Sequence, residues 1–92
     1  MAPSARLLGT GEGSHDLAVI HRGEDGRLVL HVVQWGAVPE EGRARLLVAP
    51  EVLADQAGSW VQLGGDGQVL RPRDASSWDI VTQAGHRVFE YR

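Results

Sequence analysis

Glycine-rich turns at short intervals limit this chain to a fold built mainly from β-strands. Residues 23–26 (GEDG) separate two apolar runs of strand length, residues 15–22 and 27–35. Aspartate tolerates the left-handed backbone conformation and glycine adopts it without strain, so Asp-Gly favours a tight turn. The pattern therefore predicts a β-hairpin across residues 15–35.

The same turn chemistry recurs in the second half of the chain. Residues 64–67 (GGDG) lie between two short apolar runs and predict a second hairpin. Further strands are predicted where β-branched and other apolar residues cluster. The predicted strands beyond the first hairpin are residues 43–48, 60–63, 68–71, 77–83 and 87–91. Residues 77–83 leave a helix as the alternative, because Ser76 and Asp79 resemble a capping box, but the β-branched residues in this segment favour a strand.

One short helix is predicted between these strands, at about residues 50–57. Pro50 suits the first helical position and Glu51 suits the positive end of the helix dipole. Gly58 suits the C-terminal cap. About six strands with one helix predict a mainly β fold, as a small barrel or a compact sandwich.

The length predicts one domain over residues 1–92, because so short a chain has material for only one core. Residues 1–13 contain the glycine-rich stretch GTGEGS and are expected to be a flexible or weakly ordered N-terminal segment. The first hairpin has apolar residues on successive positions, which predicts that both of its faces are covered. One face would meet the core and the other the predicted helix or a partner chain, and a hairpin covered on both faces in so small a protein favours a homodimer.

The composition excludes several functional classes. The chain contains no cysteine, which removes disulfide frameworks, thiol nucleophiles and cysteine-ligated zinc. It has neither a signal-peptide pattern nor an apolar run of about 20 residues, so we expect a cytoplasmic protein without membrane contact. All nine basic residues are arginine and asparagine is absent, which indicates a bacterial, high-GC genome.

Three of the four histidines flank the first turn, and their facing depends on the type of turn. In a two-residue turn, His21 and His31 would lie on opposite faces of the hairpin. In a type I turn with Gly26 as a bulge, the pairing shifts by one residue and they share a face. A metal site needs three or four converging ligands, which neither an HExxH helix nor an alternating His pair supplies here. The sequence predicts no metal site and no cofactor.

Two arginine pairs have the spacing that places both side chains on one face of a strand. These are Arg43 with Arg45, and Arg71 with Arg73. Such faces bind phosphates or carboxylates, so one interpretation is a small nucleic-acid-binding β-barrel that uses these four residues. The net charge of -3 and the pI of about 5.7 oppose nucleic-acid binding.

The function favoured by the sequence is a small, non-enzymatic binding or accessory module that acts through protein-protein contact. Trp78 has polar neighbours, and Pro72 suits an edge strand because proline lacks a backbone donor. We therefore expect Trp78, Arg71 and Arg73 to form the partner contact, since tryptophan and arginine are enriched at binding hot spots.

A third interpretation is a small hydrolase that depends on histidine. Its candidate residues are His15, His21, His31 and His86. Small β domains without a cofactor motif more often bind than catalyse, so this interpretation ranks below the other two.

Overall fold

The structure is a computed structural model that describes residues 3–54 and 57–92. Over these residues the chain is mainly β, with eight strands and one short helix. In chain order the elements are β1 (Ala5–Leu8), β2 (Ser14–Arg22), β3 (Leu28–Gly36), β4 (Arg43–Val48), α1 (Pro50–Leu53), β5 (Trp60–Leu63), β6 (Arg71–Asp74), β7 (Ser77–Val81) and β8 (Gly85–Tyr91).

The strands form two antiparallel sheets of four strands each. Sheet A has the order β1-β4-β7-β6, and sheet B has the order β2-β3-β8-β5. The two sheets are open and separate over the described residues, so the expectation of a closed barrel is wrong. Eight strands are observed against about six predicted: β1 was not predicted, and β6 begins at Arg71, where the strand predicted for residues 68–71 was expected to end.

One hydrophobic core lies between the inner faces of the two sheets. Strand β3 alternates buried and half-buried residues along most of its length, which is the pattern of a strand with one face on a core. Trp60 from sheet B packs against Trp78 from sheet A, with ring centroids 6.0 Å apart. Each large apolar side chain buried in this way contributes about 1.5 to 3 kcal/mol to stability.

A buried arginine links the two sheets at one end of the core. Arg87 on β8 donates from Nη1 to the carbonyl of Val81 on β7, at 2.9 Å. Its Nη2 donates to Oε1 of Gln34, at 2.7 Å. Burial lowers the pKa of Arg87 from its usual value, because the charged form is poorly solvated there. These two bonds to neutral acceptors compensate part of the cost of burying the charge.

The first hairpin forms with the bulged register. Gly26 has a φ of 84°, and its N–H donates to the carbonyl of Gly23 at 3.0 Å. This positive φ is the conformation that glycine adopts without strain. The register pairs His21 with Val29 and Val19 with His31, so His21 and His31 lie on the same face of sheet B.

The helix is shorter than the sequence predicts. It begins at Pro50, with Glu51 in its first turn, but it ends at Leu53. Ala54 adopts a left-handed conformation with a φ of 51°, which ends the helix before Gly58 can cap it. Residues 55 and 56 of the predicted helix lie outside the described residues. No helix in the described part of the chain is long and apolar enough to cross a bilayer.

The N-terminal segment contains a strand that the sequence analysis did not predict. Strand β1 pairs with β4, and residue Ala5 faces Val48 in this register. The first two residues of the segment lie outside the described part of the chain. Only four residues of β1 alternate, which is too short for periodicity to reveal a strand.

The second glycine-rich turn forms, but the strand after it lies elsewhere than predicted. The N–H of Gln62 donates to the carbonyl of Gln68 at 2.7 Å, and Val61 forms an isolated bridge with Val69. The chain then crosses to sheet A, where β6 begins at Arg71 and pairs with β7. Strand β6 lies at the edge of sheet A and can therefore contain Pro72, because proline has no backbone N–H to donate to a neighbouring strand.

Candidate functional site

Both predicted arginine pairs lie on the outer face of sheet A. On β4 the alternate residues are buried, so Arg43 and Arg45 point away from the core. The register of β6 and β7 places Arg71 opposite Asp79, which is itself opposite Arg45. Strand β1 adds a further arginine. We call this surface the arginine face; its charged residues are Arg6, Arg43, Arg45, Arg71, Arg73, Asp74 and Asp79.

The two aspartates of the arginine face are held by neighbouring groups. Nε of Arg73 lies 3.6 Å from Oδ1 of Asp79. The backbone N–H of Ser76 donates to Oδ1 of Asp74 at 3.0 Å, and this bond is the main reason why the pKa of Asp74 is lowered. The side chain of Ser77 and the charge of Arg45 lower the pKa of Asp74 further. Asp74 is therefore held in its charged form, and Asp79 is paired with Arg73.

The charge of the molecule is polarised between its surfaces. The arginine face carries five arginines against two aspartates, whereas the whole chain has a net charge of -3. The rest of the molecule is therefore strongly acidic. A protein with this polarised field can attract an anionic partner to one face in spite of its overall negative charge.

Trp78 is not exposed, so the expectation that Trp78 anchors a contact surface is wrong. Its side chain is 2% exposed and lies in the aromatic part of the core with Trp60 and Tyr91. Its polar sequence neighbours were misleading, because alternate residues of a strand face opposite sides of the sheet. Arg71 and Arg73 are exposed, as predicted.

The outer face of sheet B is a second uncovered surface, and it is mostly apolar. Leu17 is 53% exposed, Val19 is 45% exposed and Trp35 is 49% exposed. We call this surface the apolar face. Its residues are His15, Leu17, Val19, His21, Val29, His31, Val33, Trp35, Val61, Leu63, His86, Val88 and Glu90.

Three histidines from three strands meet on the apolar face. Nε2 of His21 lies 3.0 Å from Nε2 of His31, and Nδ1 of His31 lies 3.0 Å from Nε2 of His86. The ring centroids are 5.0 and 5.2 Å apart and the ring planes are inclined by 23° and 21°, so neighbouring imidazoles of the row lie nearly parallel. We call this chain of three imidazoles the histidine row.

Hydrogen bonding determines which ring nitrogens carry protons in the neutral histidine row. Nδ1 of His21 lies 3.3 Å from the carbonyl of Arg22, which can only accept, so this contact favours the tautomer with a proton on Nδ1. In that tautomer, Nε2 of His21 accepts from Nε2 of His31, and Nδ1 of His31 accepts from Nε2 of His86. One direction of donation therefore runs through all three residues.

His31 is the residue in the row whose pKa is clearly shifted. Burial lowers the pKa of His31, and the positive charges that His21 and His86 can carry lower it further. His31 is thus neutral at pH values where a free imidazole still holds part of its proton. His15 lies outside the row, stacked on Trp35 with ring centroids 5.6 Å apart.

The ring nitrogens of the histidine row do not converge on one point. His31 directs its two ring nitrogens at two different neighbours, so the three imidazoles do not face a common position. Within residues 3–54 and 57–92, no group of three or more histidine, aspartate or glutamate side chains is placed to hold a metal ion. The expectation of no metal site therefore stays a prediction with a geometric reason.

The histidines line neither of two pockets, of about 410 and 400 Å³, that the described residues form. A cavity of about 410 Å³ is lined by α1, β6, Trp78 and Tyr91, and none of the four histidines lines it. Hydrolysis needs a nucleophile and a base beside a pocket that holds the substrate. The geometry offers no such support for the hydrolase interpretation with His15, His21, His31 or His86.

No family model, curated protein or solved structure matches this chain. The two exposed faces of this small β protein are therefore the surfaces that bear on its function. Sequence spacing indicated each arginine pair, but it missed Arg6 and the meeting of His86 with the first hairpin. Both depend on which strands are neighbours, and local spacing carries no signal for that.

Proposed function

We propose that this protein is a non-enzymatic binding module that acts through contact between its arginine face and an acidic surface of another protein. The observation that carries this proposal is the grouping of five arginines on one face of an otherwise acidic molecule. Arginine suits such a contact, because its planar guanidinium pairs with carboxylates through two hydrogen bonds.

Two features of the arginine face favour a protein over a nucleic acid. The face contains apolar side chains between its charges, with Leu8 opposite Arg45 and Leu47 opposite Arg6. Leu8 is 45% exposed and offers an apolar contact that a phosphate backbone would not use. The face also has no aromatic side chain on which bases could stack, since Trp78 is buried.

Nucleic-acid binding through Arg43, Arg45, Arg71 and Arg73 is the second candidate function. The shared position of these four residues on one sheet face favours it. It would depend on phosphate contacts alone, and binding of that kind weakens steeply as salt rises.

The test compares two double variants that have the same net charge. In Arg71→Ala/Arg73→Ala, the arginine face loses two charges. In Arg22→Ala/Arg27→Ala, the first hairpin of sheet B loses two charges and the arginine face is intact. Each tagged protein is incubated with nuclease-treated extract of its native cell, and a captured protein is identified, purified and titrated against the wild type and both variants.

The proposal expects the purified partner to bind the wild type and the hairpin variant equally. The Arg71→Ala/Arg73→Ala variant is expected to bind the partner about tenfold more weakly. This corresponds to a loss of about 1.4 kcal/mol in binding free energy, a usual value for contact arginines. Equal binding to both variants would remove the arginine face from the interface. The second candidate function is tested by titrating a fluorescent DNA duplex with the protein at several salt concentrations. Nucleic-acid binding requires an affinity that falls steeply as salt rises, and this dependence should be weaker in the Arg71→Ala/Arg73→Ala variant.

A further inference from the structure

The apolar face is a surface that the proposed function leaves without a partner. Its exposed leucine, valine and tryptophan side chains lie together across neighbouring strands of sheet B. Isolated exposed apolar residues are ordinary on a soluble protein, but contiguous patches mark contact sites. The occupant of this face has to be uncharged where it meets the aliphatic side chains.

A second copy of the chain meets this requirement. The charged residue on the apolar face is Glu90, and two arginines neutralise it. Its Oε1 lies 2.8 Å from Nε of Arg92 and 3.5 Å from Nη1 of Arg27. Two apolar faces can therefore approach without the repulsion that two arginine faces would meet. Contact of one face with its own copy is also the usual geometry of a two-fold dimer.

The size of the apolar face suits a reversible dimer. At the usual rise and strand spacing, each residue of a sheet covers about 16 Å² of its plane, which gives about 460 Å² for these four strands. Two such faces in contact bury about 900 Å² when only the plane of each sheet is counted and the added surface of protruding side chains is left out. This area is close to the lower limit of about 1,000 Å² for specific interfaces. A contact of this size can be broken by a modest change in charge.

The histidine row supplies such a change, because it can hold only one extra proton without losing a hydrogen bond. A protonated His31 can donate to both of its neighbours. Any second proton leaves two N–H groups facing each other across a contact of 3.0 Å. It also places two positive charges side by side in the middle of an apolar surface.

We propose that the apolar face binds a second copy of this chain, and that protonation of the histidine row separates the two copies. Burial of the row in the dimer disfavours the charged imidazoles, so the dimer binds fewer protons than two monomers. The dimer is therefore most stable where the imidazoles are neutral, and its stability is lost as the pH falls and the row takes up protons.

The other ionisable groups near the row do not reverse this sign. On β8, Glu90 is held by Arg27 and Arg92, and it lies opposite Val29 rather than a histidine. Strand β5 contributes valine and leucine side chains. On β2, His15 lies on the same face as Val19, four residues away along the strand. A positive charge on His15 would oppose association, as a positive charge on the row does.

The association is measured with the full chain by analytical ultracentrifugation, in the presence of a chelator and at constant ionic strength. The wild type is expected to be dimeric at about pH 7.5 and about 100 µM, and to dissociate at about pH 5.5 with a dissociation constant about tenfold higher or more. A monomer at both pH values, or a dimer that is equally stable at both, would overturn the proposal.

Two variants with matched exposure test the location of the contact. Val19 on the apolar face and Leu8 on the arginine face are both 45% exposed. Val19→Glu is expected to abolish the dimer at about pH 7.5, and Leu8→Glu is expected to leave it intact. Dimerisation of Val19→Glu, or its loss only in Leu8→Glu, would place the contact elsewhere and overturn the proposal.

The pH response is tested on the histidine row itself. A triple variant with His21→Gln, His31→Gln and His86→Gln is expected to lose the pH response, whereas His15→Gln keeps it. In the wild type, the imidazole nitrogen signals of the row should shift in NMR spectra over the same pH interval as dissociation. If the dimer dissociates outside that interval, or if the triple variant keeps the response, the row does not control association. The NMR titration decides this point even where the triple variant fails to associate.

Discussion

At the scale of single residues, Trp78 contributes to stability rather than to recognition. It lies edge-on to Trp60, and its ring centroid is 6.2 Å from that of Tyr91. Truncation of a tryptophan in such a cluster removes apolar burial from the core and leaves a cavity. Trp78→Ala should therefore lower the free energy of unfolding by about 3 to 5 kcal/mol, measured by urea denaturation.

Trp35→Ala is the matched control for this substitution. Trp35 is 49% exposed and stacks on His15 at the rim of the apolar face. Its truncation should cost less than about 1 kcal/mol, measured at a concentration where the protein is monomeric. Similar losses for the two variants would contradict the assignment of Trp78 to the core. The sequence could not separate the two tryptophans, because exposure depends on which sheet face covers each ring.

At the scale of elements, the first hairpin could be predicted in detail and the second only in part. Residues 23–26 form the turn, and the bulged register is one of the two that the sequence allowed. The second turn also forms, but beyond the buried Leu70 the chain joins the other sheet. Turn chemistry is local and readable from sequence. The choice between sheets depends on contacts with residues distant in the chain.

The turn at Gly26 gives a prediction for the first hairpin. Gly26 has a φ of 84°, and apart from its two chain neighbours no heavy atom of the described residues lies within 4 Å of the position that a Cβ would occupy. The cost of a substitution there is therefore conformational and not steric crowding by neighbours. Gly26→Val should lower the free energy of unfolding by about 1 to 3 kcal/mol, because a β-branched residue resists positive φ.

Gly26→Asn separates backbone strain from the loss of glycine itself. Asparagine visits the left-handed region more readily than valine, so its cost should be smaller. Thermal melts of the two variants provide the comparison. Equal melting temperatures for Gly26→Val and the wild type would be inconsistent with the observed turn.

At the scale of the whole molecule, both exposed faces arise from strands that are far apart in sequence. The spacing of Arg43 with Arg45 could be read directly, but only the position of β7 between β4 and β6 brings them onto one face with Arg71 and Arg73. The histidine row depends in the same way on β3 lying between β2 and β8. Candidate residues could thus be named from the sequence, whereas their grouping required the order of the strands.

The grouping of the histidines leads to a prediction about metals that concerns the stability of the whole fold. A metal that binds the native state stabilises it by mass action, and removal of that metal lowers the melting temperature. The histidine row spreads its nitrogens along a line between three strands, and no group of three or more metal ligands converges in the described residues. The core between the two sheets supplies the stability instead.

We therefore expect the melting temperature to agree within about 1 °C between protein treated with a chelator and protein supplied with Zn²⁺. The measurement is made at about pH 7.5, where imidazoles are largely free of protons and able to bind a metal. The triple variant of the histidine row serves as the control for zinc bound to surface imidazoles. A drop of several degrees on chelation, absent in that variant, would show that the row holds a structural metal and that the association it controls is not a response to protons alone.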